Sequence, residues 1–343
     1  MRSGRPVTLQ DIADRIGVSR STASFAITGR GRVSDATRQR VLDVAAELGY
    51  RPNTVARNLK GARTGMIALR LPLDSTAMSY YMEATFGIAE EADRAGMVVF
   101  VLPSDPQNGG LGRLQADAVI ALDPDLNDPA MHEILAGGIP VITGEPVPPG
   151  MTRGRGEVTS DHATAVREVM DHLHARGAQH PVALMSDLRS HWPLTVRATY
   201  ESWCVEHGIE PHMSLLPHPT APEAIHSAVS AILTDESRPV DAILAITDGT
   251  ALSVVTSAQS LGRKIGDDLL VATMVDSEVL ALAQPSVTAV DLHPREFGRV
   301  CVRAAVAALE ADAEGDTTPI RKLVPITVNL RASTTGAAPT FTA

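Results

Sequence analysis

The apolar positions of the first fifty residues predict three short helices. Apolar side chains recur three or four residues apart in segments 9–16, 19–29 and 34–48, which places them on one face of a helix. A hydroxylated residue that can act as N-cap stands at the start of each segment: Thr8, Ser19 and Ser34. Glycine stands at the end of each: Gly17, Gly29 and Gly49. Because only a short glycine turn separates the first two helices, we predict a helix-turn-helix completed by a third helix.

From residue 66 onward, short apolar runs alternate with helical stretches. The runs predicted as buried strands are 66–69, 97–101, 118–121, 140–142, 182–185, 242–245 and 269–273. The predicted helices are 83–95, 131–136, 163–176, 195–207, 221–233, 251–261 and 295–311. This alternation is typical of parallel α/β sheets. We therefore predict a small all-α helix-turn-helix headpiece, followed by an α/β domain of two lobes that succeed each other along the chain.

Charge separates the headpiece from the rest of the chain. Residues 1–63 carry 12 Lys and Arg against 5 Asp and Glu, whereas the remaining residues carry 18 against 35. The basic side chains that surround the predicted helices include Arg2, Arg5, Arg20, Arg30, Arg32, Arg38, Arg40 and Arg51. A basic headpiece on an acidic body indicates that only the headpiece binds a polyanion such as DNA.

Several function classes lack the residues they need. Cys204 and Cys301 have no metal-ligand or redox spacing, so we expect two buried thiols. His172 and His174 lie two apart on a predicted helix and point to different faces, which disfavours a shared metal. Because no Ser-His-Asp set or phosphate-binding glycine motif is present, we interpret 154–156 as a flexible loop. We predict neither an enzyme nor a protein that needs a cofactor or a metal.

The sequence also predicts no membrane partner. It begins without a charged segment that leads into an apolar one, and it contains no uninterrupted apolar run of about 18 residues. We expect a cytoplasmic protein. The segment 332–343 is rich in Ala, Thr and Pro and is expected to be disordered, with 336–343 as a tail outside the folded domain.

Residues 7–61 resemble, without a gap, the headpiece and hinge of the lactose-repressor (LacI/GalR) family of transcriptional regulators. The strongest parts are Thr-Leu-Gln-Asp-Ile-Ala (8–13), Val-Ser-Arg-Ser-Thr-Ala-Ser (18–24), Val-Ser-Asp-Ala-Thr-Arg (33–38) and Gly-Tyr-Arg-Pro-Asn-Thr-Val-Ala-Arg-Asn-Leu (49–59). The resemblance implies a homodimer that binds double-stranded operator DNA. It also implies a headpiece at 1–51, a hinge at 52–62 and an effector domain at 63–335.

In that family the second helix reads bases, from positions held here by Arg20, Ser21 and Phe25. Arg20 can donate two hydrogen bonds to a guanine edge, whereas Thr22 and Ser24 are better placed for phosphates. Phe25 departs from the polar or basic residue usual there, and it either touches a thymine methyl or turns inward as core. The resemblance implies this set of DNA contacts: Thr8, Ser19, Arg20, Ser21, Thr22, Ser24, Phe25, Arg32, Asn53, Val55, Ala56, Arg57, Leu59 and Lys60.

The family's hinge folds into a helix on the operator and inserts a leucine into the minor groove. Leu59 holds that position here, with Arg57 and Lys60 facing phosphates. An apolar wedge of this kind can unstack a base step and bend the duplex. The alternative is an ordinary linker that carries one exposed leucine.

Segments 138–141, 242–248 and 284–290 extend the resemblance into a periplasmic-binding-protein-like effector domain with parallel sheets. The residues expected to bind an effector are Tyr80, Tyr81, Asp161, Trp192, Arg197, Asp248 and Asp276. Trp192 suits stacking on a sugar ring and core packing equally. Arg197 lies one position late and Val275 replaces the usual cleft aspartate, which suggests an effector other than the common hexose or purine. The segment 103–116 is shorter than the family's helix at the dimer interface.

The sequence therefore predicts a sequence-specific regulator, a repressor in the first instance, whose operator affinity is controlled by a small molecule. A sugar or sugar-like metabolite is favoured. One alternative is a cytoplasmic small-molecule-binding protein whose headpiece docks a protein. Another is a transcriptional activator of the same family.

Overall fold

The computed structural model describes residues 7–28, 33–48, 50, 63–72, 79–102, 115–187, 189–217, 220–246 and 249–336. The chain divides into two compact units, Met1–Arg63 and Thr64–Ala343. The first is helical, and the second contains two six-stranded sheets. No helix of the described residues is long and apolar enough to cross a membrane.

The first unit contains the three predicted helices: α1 Leu9–Ile16, α2 Arg20–Thr28 and α3 Asp35–Glu47. Thr8 and Asp11 form a reciprocal capping box at α1, and Ser34 Oγ accepts the amide of Thr37 at 3.3 Å at α3. Gly17 ends α1 in the left-handed conformation, with φ of 77°. The shared core is built from Ile12, Ala26, Val41 and Ala45. The predicted headpiece is thus confirmed in its described part.

Six parallel strands form the sheet of the first lobe: β1 Met66–Arg70, β2 Val98–Val101, β3 Ala118–Leu122, β4 Val141–Gly144, β5 Gly156–Ser160 and β11 Ile320–Val324. Their order is β11-β5-β4-β3-β1-β2. The helices packed on it are α4 Ser79–Arg94, α5 Pro129–Ala136 and α11 Pro294–Ala313. Strands β3 and β4 are buried along their whole length, which explains why they read as unbroken apolar runs.

The second lobe repeats this architecture with its own sheet: β6 Pro181–Ser186, β7 Met213–Leu216, β8 Ala242–Ala245, β9 Leu270–Thr273, β10 Thr288–Asp291 and β12 Thr327–Asn329. Their order is β12-β10-β9-β8-β6-β7, and β12 alone runs antiparallel to its neighbour. The helices are α6 His162–Ala175, α7 His191–Glu206, α8 Pro222–Thr234, α9 Thr250–Ser260, α10 Glu278–Leu282 and α12 Ala332–Thr335. Separate apolar cores cover the two faces of this sheet.

The two lobes do not succeed each other along the chain, so that part of the prediction is wrong. The chain crosses to the second lobe after Ser160 and returns after Asp291 to build α11 and β11. It crosses a third time between Val324 and Thr327. Helix α11 belongs to the first lobe because its apolar side, including Phe297, completes the core beneath β1 and β3. Two lobes joined by three crossings can change their mutual angle without unfolding either core.

The interpretation of 154–156 as a flexible loop is also wrong. Gly156 begins β5, and a Cβ on it would lie 2.8 Å from the carbonyl oxygen of Ile320 in β11. Arg155 forms an ion pair with Asp312 at 2.7 Å. The glycines here allow close approach of backbones and not mobility.

The start of the C-terminal segment is ordered, contrary to the prediction of disorder from residue 332. Ala332–Thr335 forms α12, in which Ser333 and Thr334 are fully buried. Ser333 Oγ donates to the carbonyl oxygen of Val271 at 2.6 Å and accepts the amide of Thr288 at 2.8 Å. The small polar residues that suggested a tail instead pack against the beginnings of the interior strands β9 and β10. Residues 337–343 lie outside the described residues.

Candidate functional site

The start of α2 is held by Ser19, as the sequence predicts. Ser19 Oγ accepts the amide of Thr22 at 3.0 Å and lies 2.8 Å from the hydroxyls of Ser21 and Thr22. This network fixes the first turn of the helix. Since no acidic residue stands in that turn, its positive dipole end is not neutralised by the helix itself. The N-terminal end of α2 is therefore suited to binding an anion such as a phosphate.

Phe25 lies outside the headpiece core, so the alternative that it turns inward is wrong. Its side chain is 44% exposed, whereas Ala23 and Ala26 beside it are buried. Ser21, one turn earlier on the same face, is exposed, as is Arg20. Two of the predicted base-reading positions are thus solvent-facing neighbours on one side of α2, with Arg20 beside them. The half-buried Thr22 and Ser24 stand at the margin of this face.

The remaining predicted DNA contacts fall into two groups. Thr8 is engaged in the capping box of α1, where its hydroxyl donates to Asp11 Oδ2 at 2.7 Å. The others lie outside the described residues: Arg32, Asn53, Val55, Ala56, Arg57, Leu59 and Lys60.

In the second unit, polar side chains gather where β3, β4 and β5 end. Asp123 follows β3, Glu145 follows β4 and Ser160 ends β5, so all three lie at the same edge of the first sheet. His162 follows two residues after Ser160, as the first residue of α6 in the second lobe. We call Asp123, Glu145, Ser160 and His162 the cleft floor. The carboxyl edge of a parallel sheet is where such folds bind ligands.

Glu145 reaches from the first lobe to the beginning of two helices of the second. Its carboxylate lies 3.0 Å from His162 Nε2 and 3.9 Å from His191 Nδ1. It also accepts the Thr159 hydroxyl at 2.9 Å and the Ser160 amide at 3.2 Å. Burial lowers the pKa of His162, but the carboxylates of Glu145, Asp123 and Asp161 together raise it by more, so this pKa lies above its ordinary value. Burial lowers the pKa of His191.

Asp123 is a buried carboxyl with one paired and one unpaired oxygen. Tyr81 donates its hydroxyl to Asp123 Oδ2 at 2.6 Å, and Asp123 Oδ1 has no hydrogen-bond partner in the part of the chain that the structure describes. Burial and then the nearby Glu145 raise the pKa of Asp123 to about 7. Burial and Asp123 also raise the pKa of Tyr81, so Tyr81 remains the donor. Both acids follow strands in the left-handed region, with φ of 44° at Asp123 and 75° at Glu145. Such strain in non-glycine residues is concentrated at functional sites.

Aromatic side chains border this acidic group. Tyr80 packs against the cores of both lobes, and its ring meets that of Tyr81 edge-on at 5.3 Å. Trp192 is 8% exposed within the second lobe's core, with its ring 6.2 Å from that of His162. The structure therefore brings Tyr80, Tyr81 and Trp192 together around the cleft floor. Trp192 contributes to packing, and its stacking on a ligand stays a prediction.

Three of the other four predicted effector residues already have partners elsewhere. Asp161 caps α6 by accepting the amide and hydroxyl of Thr164, at 3.0 and 2.7 Å. Arg197 is exposed and pairs with Glu201 on the same helix at 3.0 Å. Asp276 accepts both terminal nitrogens of Arg331, at 2.7 and 2.6 Å, and the amide of Asn329 at 2.9 Å. Asp248 lies outside the described residues.

None of the four residues of the cleft floor was predicted from the sequence, nor was the neighbouring His191. A usable signal was present, because Asp123 and Glu145 each follow a predicted buried strand directly or within a few residues. Nothing in the sequence indicated a further contact between the lobes, in which the backbone amide of Arg189 donates to Asp125 Oδ2 at 3.0 Å. Within the described part of the chain, no group of three His, Cys, Asp or Glu side chains could hold a metal ion.

Two family models match the chain. Residues 8–53 match bacterial regulatory proteins of the lacI family, and residues 170–334 match a periplasmic binding protein-like domain. Catabolite control protein A of Staphylococcus xylosus is 25% identical over 304 residues, which cover 87% of this chain and 91% of that protein. The HTH-type transcriptional regulator CelR of Thermobifida fusca is 27% identical over 361 aligned positions, which cover 97% of this chain and all 100% of that protein.

Solved structures share the fold over almost the whole chain. A complex of the transcriptional regulator CelR with cellobiose superposes with a TM-score of 0.70 at 24% identity, covering 96% of this chain and 100% of that one. The lac repressor dimer bound to operator and an anti-inducer gives 0.70 at 23% identity, covering 96% and 99%.

Proposed function

Because the chain belongs to the lacI family of bacterial regulatory proteins, we propose that it is a repressor that binds its operator as a homodimer and is controlled by a small molecule in the cleft between its two lobes. The observation that supports DNA reading most directly is α2, a capped helix whose exposed face carries Arg20, Ser21 and Phe25. A capped helix of this kind can enter the major groove while its first turn meets a phosphate.

In the complex, Arg20 contacts a guanine edge and Ser21 an adjacent base, while Thr22 and Ser24 position the helix on the backbone. The hinge would place Leu59 of each subunit into the minor groove at the operator centre, with Arg57 and Lys60 on phosphates. Two headpieces then read two half-sites, so the operator is a near-palindrome.

Effector control would act through the three crossings that join the lobes. The cleft floor contains Glu145 from the first lobe and His162 from the second, so a ligand bound there contacts both. A ligand that prefers one angle between the lobes shifts the population towards that angle. Since DNA affinity and ligand affinity are linked, the operator affinity then changes by the same factor as the ligand affinity. The CelR relative was solved with cellobiose, which favours a saccharide as effector here.

Selection from a pool of random duplexes with the full-length chain tests DNA reading. We expect enrichment of a near-palindrome, and Arg20→Ala should lose the preference at a guanine of each half-site while overall folding is retained. Enrichment of no sequence would contradict the proposal and favour the alternative in which the headpiece docks a protein. The position of the operator relative to the promoter separates a repressor from an activator.

A further inference from the structure

The cleft floor contains more acid than base. Asp123 and Glu145 are 7% and 3% exposed, and His162 is the only side chain of the floor that can balance them by protonation. His191, the next nearest base, has a pKa lowered by burial. A buried charge without a counter-charge is costly unless it is neutralised by a proton or by a ligand.

Within the described residues, two polar atoms of the floor lack hydrogen-bond partners: Asp123 Oδ1 and Ser160 Oγ. Both side chains are more than nine-tenths buried. His162 Nε2, by contrast, lies 3.0 Å from the Glu145 carboxylate. Buried polar groups are nearly always paired in folded proteins. Two unpaired groups at the same edge of the sheet indicate that a ligand supplies their partners.

Three arginines of the two lobes are paired with acids outside the floor. Arg70, at the end of β1, pairs with Asp128 at 2.7 Å, and Arg331 and Arg197 pair with Asp276 and Glu201. An anionic ligand would add to the excess of negative charge at the floor.

The aromatic rings beside the floor also favour a cationic ligand. Tyr80, Tyr81 and Trp192 border the acids, and Tyr80 remains partly exposed. Ring faces attract cations within about 6 Å of their centres. Carboxylates combined with aromatic faces are suited to an ammonium group, which satisfies both.

We infer that the effector carries a protonated nitrogen, as an amino sugar or a sugar-sized cyclic amine does, and that this ammonium lies between Asp123 and Glu145. It would donate to Asp123 Oδ1 and to the Glu145 carboxylate and would face the aromatic rings. A phosphorylated or carboxylated sugar is excluded by the same charges. This inference rests on the proposed cleft site and names the class of ligand that it binds.

Titration calorimetry of the full-length chain near neutral pH tests the inference with matched probes. The panel is 6-amino-6-deoxyglucose and glucosamine against glucose, N-acetylglucosamine and glucose 6-phosphate. We expect at least one amine to bind roughly tenfold or more tighter than its neutral counterpart, which corresponds to about 1.4 kcal/mol. The inference is overturned if the neutral or phosphorylated sugars bind equally well or better, or if no amine binds.

Variants locate the effect. Asp123→Asn and, independently, Glu145→Gln should remove the preference for the amine, so either variant suffices if the other does not fold. Glu206→Gln is the matched control, because that carboxylate is exposed on the outer side of α7 and pairs with Arg167. Retention of the amine preference in both floor variants would contradict the inference.

DNA selection with the same preparation separates this inference from the proposed function. Sequence-specific DNA binding without amine binding refutes the ligand class alone. Amine binding without any sequence-specific DNA binding refutes the regulator and leaves the ligand site intact.

Discussion

Replacement of thymine by deoxyuridine in the operator removes the one group that an exposed Phe25 is suited to contact. Phe25 is 44% exposed on the reading face of α2 and makes no part of the headpiece core. In the major groove thymine presents a 5-methyl group, which apolar side chains contact. Burial of one such carbon is worth about 0.8 kcal/mol. With one contact in each half-site, loss of both methyls should cost about 1.6 kcal/mol, or roughly 15-fold in Kd.

The assay is fluorescence anisotropy with the duplex selected by the wild-type chain, in which symmetry-related thymine pairs are replaced one pair at a time. Only one pair should show the loss, and Phe25→Ala should bind the thymine and deoxyuridine duplexes equally. Circular dichroism checks that Phe25→Ala remains folded, as expected for a residue outside the core. The contact would be refuted if the wild type bound all substituted duplexes with the affinity it has for the unsubstituted operator. It would also be refuted if Phe25→Ala lost as much affinity as the wild type when thymine is replaced by deoxyuridine.

Three further predictions concern the hinge, the cleft floor and the packing of the first lobe. Leu59→Ala should weaken binding to the selected operator far more than binding to random duplex, because only the bent specific complex uses the wedge; equal losses in a competition gel shift would contradict this. Asp123→Asn should raise the free energy of unfolding measured in urea, and it should do so more at about pH 8 than at about pH 5. The reason is that folding raises the pKa of Asp123 to about 7, so the wild-type protein loses stability as the pH rises towards that value, whereas an asparagine does not ionise. Glu206→Gln is the control: the pKa of Glu206 is lowered to about 2, so the effect of this substitution should not change between about pH 5 and pH 8. An effect of Asp123→Asn that does not depend on pH would contradict the described environment of Asp123. Gly298→Ala should lower the free energy of unfolding in urea by about 1–3 kcal/mol or more, because the added Cβ would collide with the backbone of α4. Gly138→Ala is the control, because its Cβ meets no atom within 4 Å, and it should lower the free energy of unfolding far less. Similar losses in the two variants would exclude the close contact between the helices.

Local patterns predicted the elements because their cause is local. The caps at Thr8, Ser19 and Ser34 depend on side chains within three residues, and the buried strands depend on runs of apolar residues. Short strands with mixed burial escaped prediction. Strand β5 alternates buried and half-buried positions over only five residues, and β11 exposes Arg321 and Lys322 at the sheet edge.

The return of α11 to the first lobe was not predictable from periodicity. An apolar face indicates that a helix is buried, but it does not indicate which sheet the helix packs against. Phe297 packs against residues of β1 and β3 that lie more than 170 residues earlier in the chain. The same limit applies to the cleft floor, where Asp123, Glu145 and His162 meet only because the crossings bring three strand ends and α6 together. Conversely, Asp276 and Arg197 were predicted to bind the effector, but their charges are paired with those of Arg331 and Glu201.

The dependence of DNA affinity on salt tests the central claim most directly. The wild-type chain and Arg20→Ala are titrated with the selected operator and with random duplex between about 50 and 200 mM salt. Wild-type affinity for the operator should fall steeply with salt while remaining about 1,000-fold or more above that for random duplex, and Arg20→Ala should reduce this ratio. Binding that is insensitive to salt, or equal for the two duplexes in the wild type, would contradict the claim.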